Sequence, residues 1–236
     1  MTATAPAQQR TRIKICGLTR EQDVDTAVAA GADAVGFVLY PPSPRYIPAE
    51  RAATLASRLP PFVTPVLLFV NAQPDEVDAA LRQVPGGILQ FHGDETPADC
   101  LAASRQGRTP YLRAARIPFG VGAVMPDLLK YAADFAQARG LLLDAHVEGY
   151  GGGGKTFDWS LLPPSVDAHL VLSGGLTPAN VGEGITALRS RGKSLAVDVS
   201  SGVELSKGIK DAEKIARFIS AVREADRRFA ISSLSS

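Results

Sequence analysis

Arg12-Ile13-Lys14-Ile15-Cys16-Gly17-Leu18-Thr19 reads as a short β-branched strand that runs into a glycine and a polar turn. A helix follows: Glu21 to Ala30 places Val24, Ala27 and Val28 at helical spacing, with Thr19 as the expected N-cap and Gly31 as the stop. Side chains alternate along a strand, so Lys14 and Cys16 share one face, about 7 Å apart at ~3.3 Å rise per residue. A cation so close to a thiol is expected to favour the thiolate, the basic and nucleophilic form. Cys16 is therefore a candidate catalytic group, against the plainer reading of a small residue packed at the end of a core strand.

The same strand-then-helix unit recurs every 25 to 30 residues. Strands are expected at Ala34 to Leu39, Val63 to Val70, Gly87 to Phe91, Tyr111 to Ala115, Leu141 to Leu143, Leu170 to Leu172 and Leu195 to Val199. Helices are expected at about Pro48 to Leu59, Pro74 to Val84, Thr96 to Gln106, within Gly122 to Ala138, at Thr177 to Arg191 and at Ile209 to Arg228, with a turn or so at Thr156 to Leu162. Eight strands alternating with helices over 236 residues, with no linker between them, predict a single (β/α)8 TIM barrel over residues 11–229. Residues 1–10 and 230–236 are expected to be loose tails.

Composition narrows the function. A net charge of +1 with both signs spread along the chain provides no basic stripe for nucleic acid and no polybasic membrane patch. Cys16 and Cys100 make neither a metal cluster nor a disulfide framework, which suits a reducing cytoplasm, and the start has no apolar stretch resembling a signal peptide. In a barrel of this kind the active site lies at the C-terminal ends of the strands. The unusual polar residues cluster there: Cys16, Arg45, Gln90, His92, Asp144, Ser173, Asp198 and Ser201.

Three glycine-rich stretches carry more specific signals. Gly149 to Thr156 matches G-x-x-x-x-G-K-[ST], the P-loop pattern. A P-loop leaves its strand directly and opens a long helix, whereas Pro163 and Pro164 cut this one short, so a lid over a bound ligand is the better reading. Ser173-Gly174-Gly175 and Ser200-Ser201-Gly202 follow strands seven and eight, where free backbone N–H groups and a short helix form a phosphate site in many barrels. Gly174, Gly175, Ser200, Ser201 and Gly202 are thus candidate phosphate-binding residues. Asp144 and Asp198 are candidate site residues, although an aspartate at such a junction can also cap the next helix. Cys100 reads as helix-face core.

Lys14 to Thr19, Leu89-Gln90-Phe91-His92-Gly93-Asp94-Glu95, Lys155-Thr156-Phe157-Asp158-Trp159, Leu172 to Leu176 and Val197-Asp198-Val199-Ser200-Ser201-Gly202-Val203-Glu204 together resemble the phosphoribosylanthranilate isomerase family, from about Arg12 to Phe218. The resemblance implies an Amadori rearrangement of N-(5-phosphoribosyl)anthranilate in tryptophan biosynthesis, on a small phosphosugar substrate and with no metal or organic cofactor. It carries Asp144 onto the general acid, Cys16 onto the general base and Arg45 onto the arginine that holds the anthranilate carboxylate. The Gly174 and Ser200 loops match the phosphate grip, and Gln90, His92 and Asp198 are assigned to the substrate site. Gly153 stands where the family usually has Ser or Thr. A histidine-pathway barrel isomerase, which uses paired aspartates and has no cysteine after strand one, and a non-catalytic phosphosugar-binding protein are the alternatives. Whether the protein is a monomer or a homodimer is not legible in the sequence.

Overall fold

Strand parity explains most of the architecture in the computed structural model, which describes residues 10–118, 125–146 and 158–232. Eight parallel strands close into a barrel in sequence order: β1 (Arg12–Cys16), β2 (Ala34–Val38), β3 (Thr64–Phe69), β4 (Ile88–Phe91), β5 (Tyr111–Pro118), β6 (Gly140–His146), β7 (His169–Leu172) and β8 (Ser194–Val199). β1 pairs with β8 through Arg12 opposite Ala196 and Lys14 opposite Asp198, which seals the ring. The (β/α)8 class expected from the alternation is the one observed.

Helices α1 (Glu21–Ala30), α2 (Ala49–Ala56), α3 (Pro74–Gln83), α4 (Pro97–Ala103), α5 (Leu128–Asp134), α6 (Val181–Leu188) and α7 (Ala212–Ser232) surround the barrel. Between β6 and β7 the described residues hold one 3-10 turn, Trp159–Leu161, in place of an eighth helix. The prolines after it remove the donors and backbone freedom that a longer helix would need.

The main apolar core lies between the barrel's outer face and the helices. It takes Ile13 and Ile15 from β1, Val35 and Phe37 from β2, Leu67 and Phe69 from β3, and their same-parity counterparts onward. Removing such side chains from water is the main favourable term in folding, roughly 1.5–3 kcal/mol for each large one. Inside the barrel two small apolar clusters remain, Cys16 with Val38 and Leu68, and Ala114 with Leu142 and Val171. Polar inward positions at the C-terminal ends of the strands become the site.

Several local expectations are corrected. Thr19 does not cap α1: Arg20 holds the N-cap position without a side-chain cap, and the Thr19 hydroxyl donates instead to the Gly208 carbonyl at 2.7 Å. Gly31 does end α1, in left-handed backbone at φ 99°. The closing helix begins at Ala212, because β9 (Glu204–Ser206) and β10 (Ile209–Lys210) form an antiparallel hairpin first. It continues to Ser232, past the tail boundary expected at 230. The glycine segment 149–154 and the Lys155-Thr156-Phe157 motif fall outside the described residues, as does the chain before Arg10. Among the described residues no helix is long and apolar enough to cross a membrane.

Candidate active site

Lys14, Cys16, Gln90, His92, Asp144, Ser173, Asp198 and Ser200 all occupy the inward parity of their strands or of the residues just beyond them. Cys16, Arg45, Gln90, His92, Asp144, Ser173, Asp198 and Ser200 line one pocket with about 620 Å³ of empty space, its open mouth included. Asp144 and Asp198 are not at strand ends, as expected from sequence. They stand inside β6 and β8, two residues and one residue before the last, and neither caps a helix.

The base candidate sits on a charged floor. Lys14 Nζ donates to Asp198 Oδ1 at 2.8 Å, and both side chains are buried. Burial alone would lower Lys14, but Asp198, with Cys16 behind it, overrides this and holds the ammonium above its ordinary range. The expectation for Cys16 itself is corrected. Burial pushes its thiol up, and Lys14 only partly offsets that. Room for the sulfur comes from Gly36, its register partner on β2: a Cβ there would lie 2.7 Å from Sγ and 3.0 Å from Lys14 Nζ.

Asp198 lines the pocket, and its two oxygens pair with Lys14 and with the Ser173 hydroxyl at 3.3 Å. It reaches the pocket as the counter-ion of Lys14. Opposite, Asp144 Oδ2 lies 3.0 Å from His92 Nε2, and Gln90 Nε2 lies 3.0 Å from His92 Nδ1. The loop after β4 that carries His92 is held from behind by Glu95, which accepts from the Asn71 and Gly93 amides, and by Arg113, which pairs with Glu95 at 3.0 Å.

Arg45 arrives from the proline-rich turn after β2 and gives Nε and Nη2 to Glu204 at 2.7 and 2.8 Å. Lys210 Nζ, on β10, donates to the same carboxylate at 2.8 Å and to the Ser200 carbonyl at 3.1 Å. Burial pushes Glu204 up, but the two cations hold its carboxyl below the ordinary range, so it stays charged. Lys210 was missed because Ile209 and Lys210 were read as the start of the closing helix, and Glu204, although quoted in the stretch Val197 to Glu204, was given no role. Gly17 makes the approach possible: at φ 76° it is left-handed, and a Cβ would meet Arg45 Cδ at 2.5 Å.

The two small-residue loops close the same end. Gly174 and Gly175 are left-handed, at φ 76° and 64°, and no backbone carbonyl among the described residues takes their N–H groups. A Cβ on Gly174 would lie 2.1 Å from the Ala145 amide nitrogen, and one on Gly202 would lie 1.9 Å from the Leu176 carbonyl oxygen. The loop after β7 therefore packs tightly against β6 and against the 3-10 turn Ser201–Val203 after β8. Ser173 and Ser200 line the pocket, whereas Gly174, Gly175, Ser201 and Gly202 next to them do not. Cys100 lies apart on α4, fully buried, its thiol pushed up to about 12 by that burial. His169 bonds Ser194 at the opposite end of the barrel. Among the described residues no three His, Cys, Asp or Glu side chains group as metal ligands.

A closed parallel barrel with a thiol on β1, a carboxyl on β6 and a paired arginine at one C-terminal mouth defines an acid–base barrel enzyme. Residues 13–221 match the family model of N-(5'-phosphoribosyl)anthranilate (PRA) isomerase, and the chain belongs to that family. It is 61% identical over 225 residues to the N-(5'-phosphoribosyl)anthranilate isomerase of Methylibium petroleiphilum, covering 95% of this chain and all of that one. The corresponding protein of Leptothrix cholodnii is 60% identical, with 93% and 94% covered. The crystal structure of phosphoribosyl anthranilate isomerase from Thermotoga maritima superposes with a TM-score of 0.78 at 39% identity, covering 91% of this chain and 99% of that one. A further solved isomerase of the family, in complex with reduced 1-(o-carboxyphenylamino)-1-deoxyribulose 5-phosphate, superposes at 0.73 with 36% identity, covering 91% and 99%.

Proposed function

We propose that this pocket isomerises N-(5'-phosphoribosyl)anthranilate to 1-(2-carboxyphenylamino)-1-deoxyribulose 5-phosphate, with Asp144 as general acid and Cys16 as general base. The isomerase activity follows from family membership; the residue roles rest on geometry. Cys16 and Asp144 open into the same pocket from strands three steps apart round the ring, so a bound sugar lies between them. That is the observation carrying the assignment.

Asp144 gives a proton to the ribose ring oxygen as the C1–O bond breaks, and the anthranilate nitrogen pushes its lone pair into a C1=N bond. Cys16 as thiolate then removes the proton on C2, leaving a neutral enolamine, and the ketone forms as C1 takes up a proton and the C2 hydroxyl gives one up. The protonated nitrogen makes C2–H acidic, so a modest base suffices; Lys14 supports the thiolate form of Cys16 that takes the proton, and the group leaves the step as the thiol. Arg45 faces the anthranilate carboxylate, oriented for it by Glu204. The Gly174–Gly175 and Ser200–Gly202 loops hold the phosphate, supported by their free amides and by Lys210 beneath Ser200. Substrate contact by Gln90, His92 and Asp198 is narrower: Asp198 serves Lys14, and His92 serves Asp144.

The direct test is turnover. Purified protein mixed with freshly generated phosphoribosylanthranilate should abolish the fluorescence of that compound; no loss of signal with folded protein would sink the proposal. Arg45→Lys should lower kcat/KM by about 10- to 100-fold, chiefly through KM, because one lost charge-assisted fork is worth roughly 1.5–3 kcal/mol and an ammonium cannot copy its planar geometry. An unchanged kcat/KM would remove Arg45 from the site.

A further inference from the structure

Gln90 enters the pocket from β4 completely buried, and its Oε1 has no partner among the described residues. Buried amides without partners are uncommon and call for a reason. Gln90, His92 and Asp144 form a chain of two 3.0 Å contacts through the two ring nitrogens of His92. A neutral imidazole has one N–H and one lone pair, so whatever faces Nδ1 decides what faces Asp144. With the amide nitrogen donating to Nδ1, Nε2 carries the proton and donates to Asp144, which favours a carboxylate. With the amide turned by half, Oε1 accepts from Nδ1–H, and Nε2 offers its lone pair to a carboxyl O–H. That arrangement favours the protonated acid.

Resting on the reading of Asp144 as the general acid, we infer that Gln90 is a positioning residue whose Oε1 holds His92 as the Nδ1–H tautomer and so keeps a proton on Asp144. The half-turn exchanges two ends of nearly equal shape and moves no backbone. It gives Oε1 the donor it lacks and moves the amide –NH2 to the buried position that Oε1 leaves beside the pocket that Gln90 lines. Gln90 touches no reacting atom in this role. This differs from a substrate ligand, whose loss would appear in KM.

The chain has 3 histidines, so the ring nitrogens of His92 can be assigned by nitrogen NMR with single substitutions. Wild-type protein should show His92 protonated at Nδ1, with Nε2 unprotonated; an Nε2–H tautomer overturns the inference, and this measurement needs no variant to fold. Gln90→Met, similar in size but with no strong acceptor, should lower kcat by about tenfold with KM within about twofold. Gln90→Glu, which keeps an acceptor at Nδ1, should retain kcat within about threefold. A raised KM at unchanged kcat in Gln90→Met, or a Gln90→Glu as impaired as Gln90→Met, counts against it. Asp144→Asn separates the two levels. An active Asp144→Asn removes the acid assignment whatever the tautomer, whereas an inactive one beside an Nε2–H His92 removes only the role of Gln90.

Discussion

Cys16→Ser is expected to lose about 10²–10⁴-fold in kcat while folding and substrate affinity survive. Serine keeps the size of the side chain between Gly36 and Val38, so the barrel interior is not disturbed. What changes is acidity: a hydroxyl gives almost no anion where a thiol of ordinary pKa ~8.5 gives some. In the wild type burial pushes the Cys16 thiol up and Lys14 offsets only part of that. The rate carried by the thiolate should therefore climb as pH rises into the alkaline range, and that limb should vanish in Cys16→Ser. Stability changes with the opposite sign. A thiol held protonated in the fold contributes stability below its unfolded pKa and loses it as pH rises above, so the wild type should weaken relative to Cys16→Ser in alkali. Thiol alkylation should inactivate the enzyme, bound product analogue should protect it, and Cys100 should not respond. Retention of most activity by Cys16→Ser would return Cys16 to the role of a packed strand-end residue.

Asp144→Asn is expected to cost a similar 10²–10⁴-fold, again in kcat. Asparagine preserves shape and still hydrogen-bonds His92, but it has no proton to give to the ring oxygen. Asp144 is partly open to solvent, with 20% of its side chain exposed, so little stability should be lost. Thermal unfolding and KM serve as controls, because they should barely move. Near-wild-type turnover by folded Asp144→Asn would mean that another group opens the sugar ring.

The fold was legible because it is written in local periodicities. Apolar runs that form strands of four to eight residues, most of them followed by a helical pattern, recur regularly enough to mark a parallel barrel. Boundaries slipped where tertiary pairing overrode local preference. Ile209 and Lys210 pair with Ser206 and Glu204 instead of starting a helix, and β5 extends three residues past Ala115 because β6 lies alongside it to His146. The address of the site was legible too, as polar residues placed among apolar strand runs.

What the sequence determined by itself is the repeating unit and the inward parity of Lys14, Cys16, Gln90, Asp144 and Asp198, since a period of two is a local property of each strand. Partnership was decided only in three dimensions. Lys14 is charged because Asp198, 184 residues away, sits opposite it across the closing seam. Arg45 is aimed because Glu204 and Lys210 come back to it on a hairpin. The Cys16 thiol is pushed up by burial, against what its neighbour Lys14 alone would imply. Desolvation and ion pairing depend on which atoms surround a group in space, and closing the ring brings those atoms together from strands far apart in the chain.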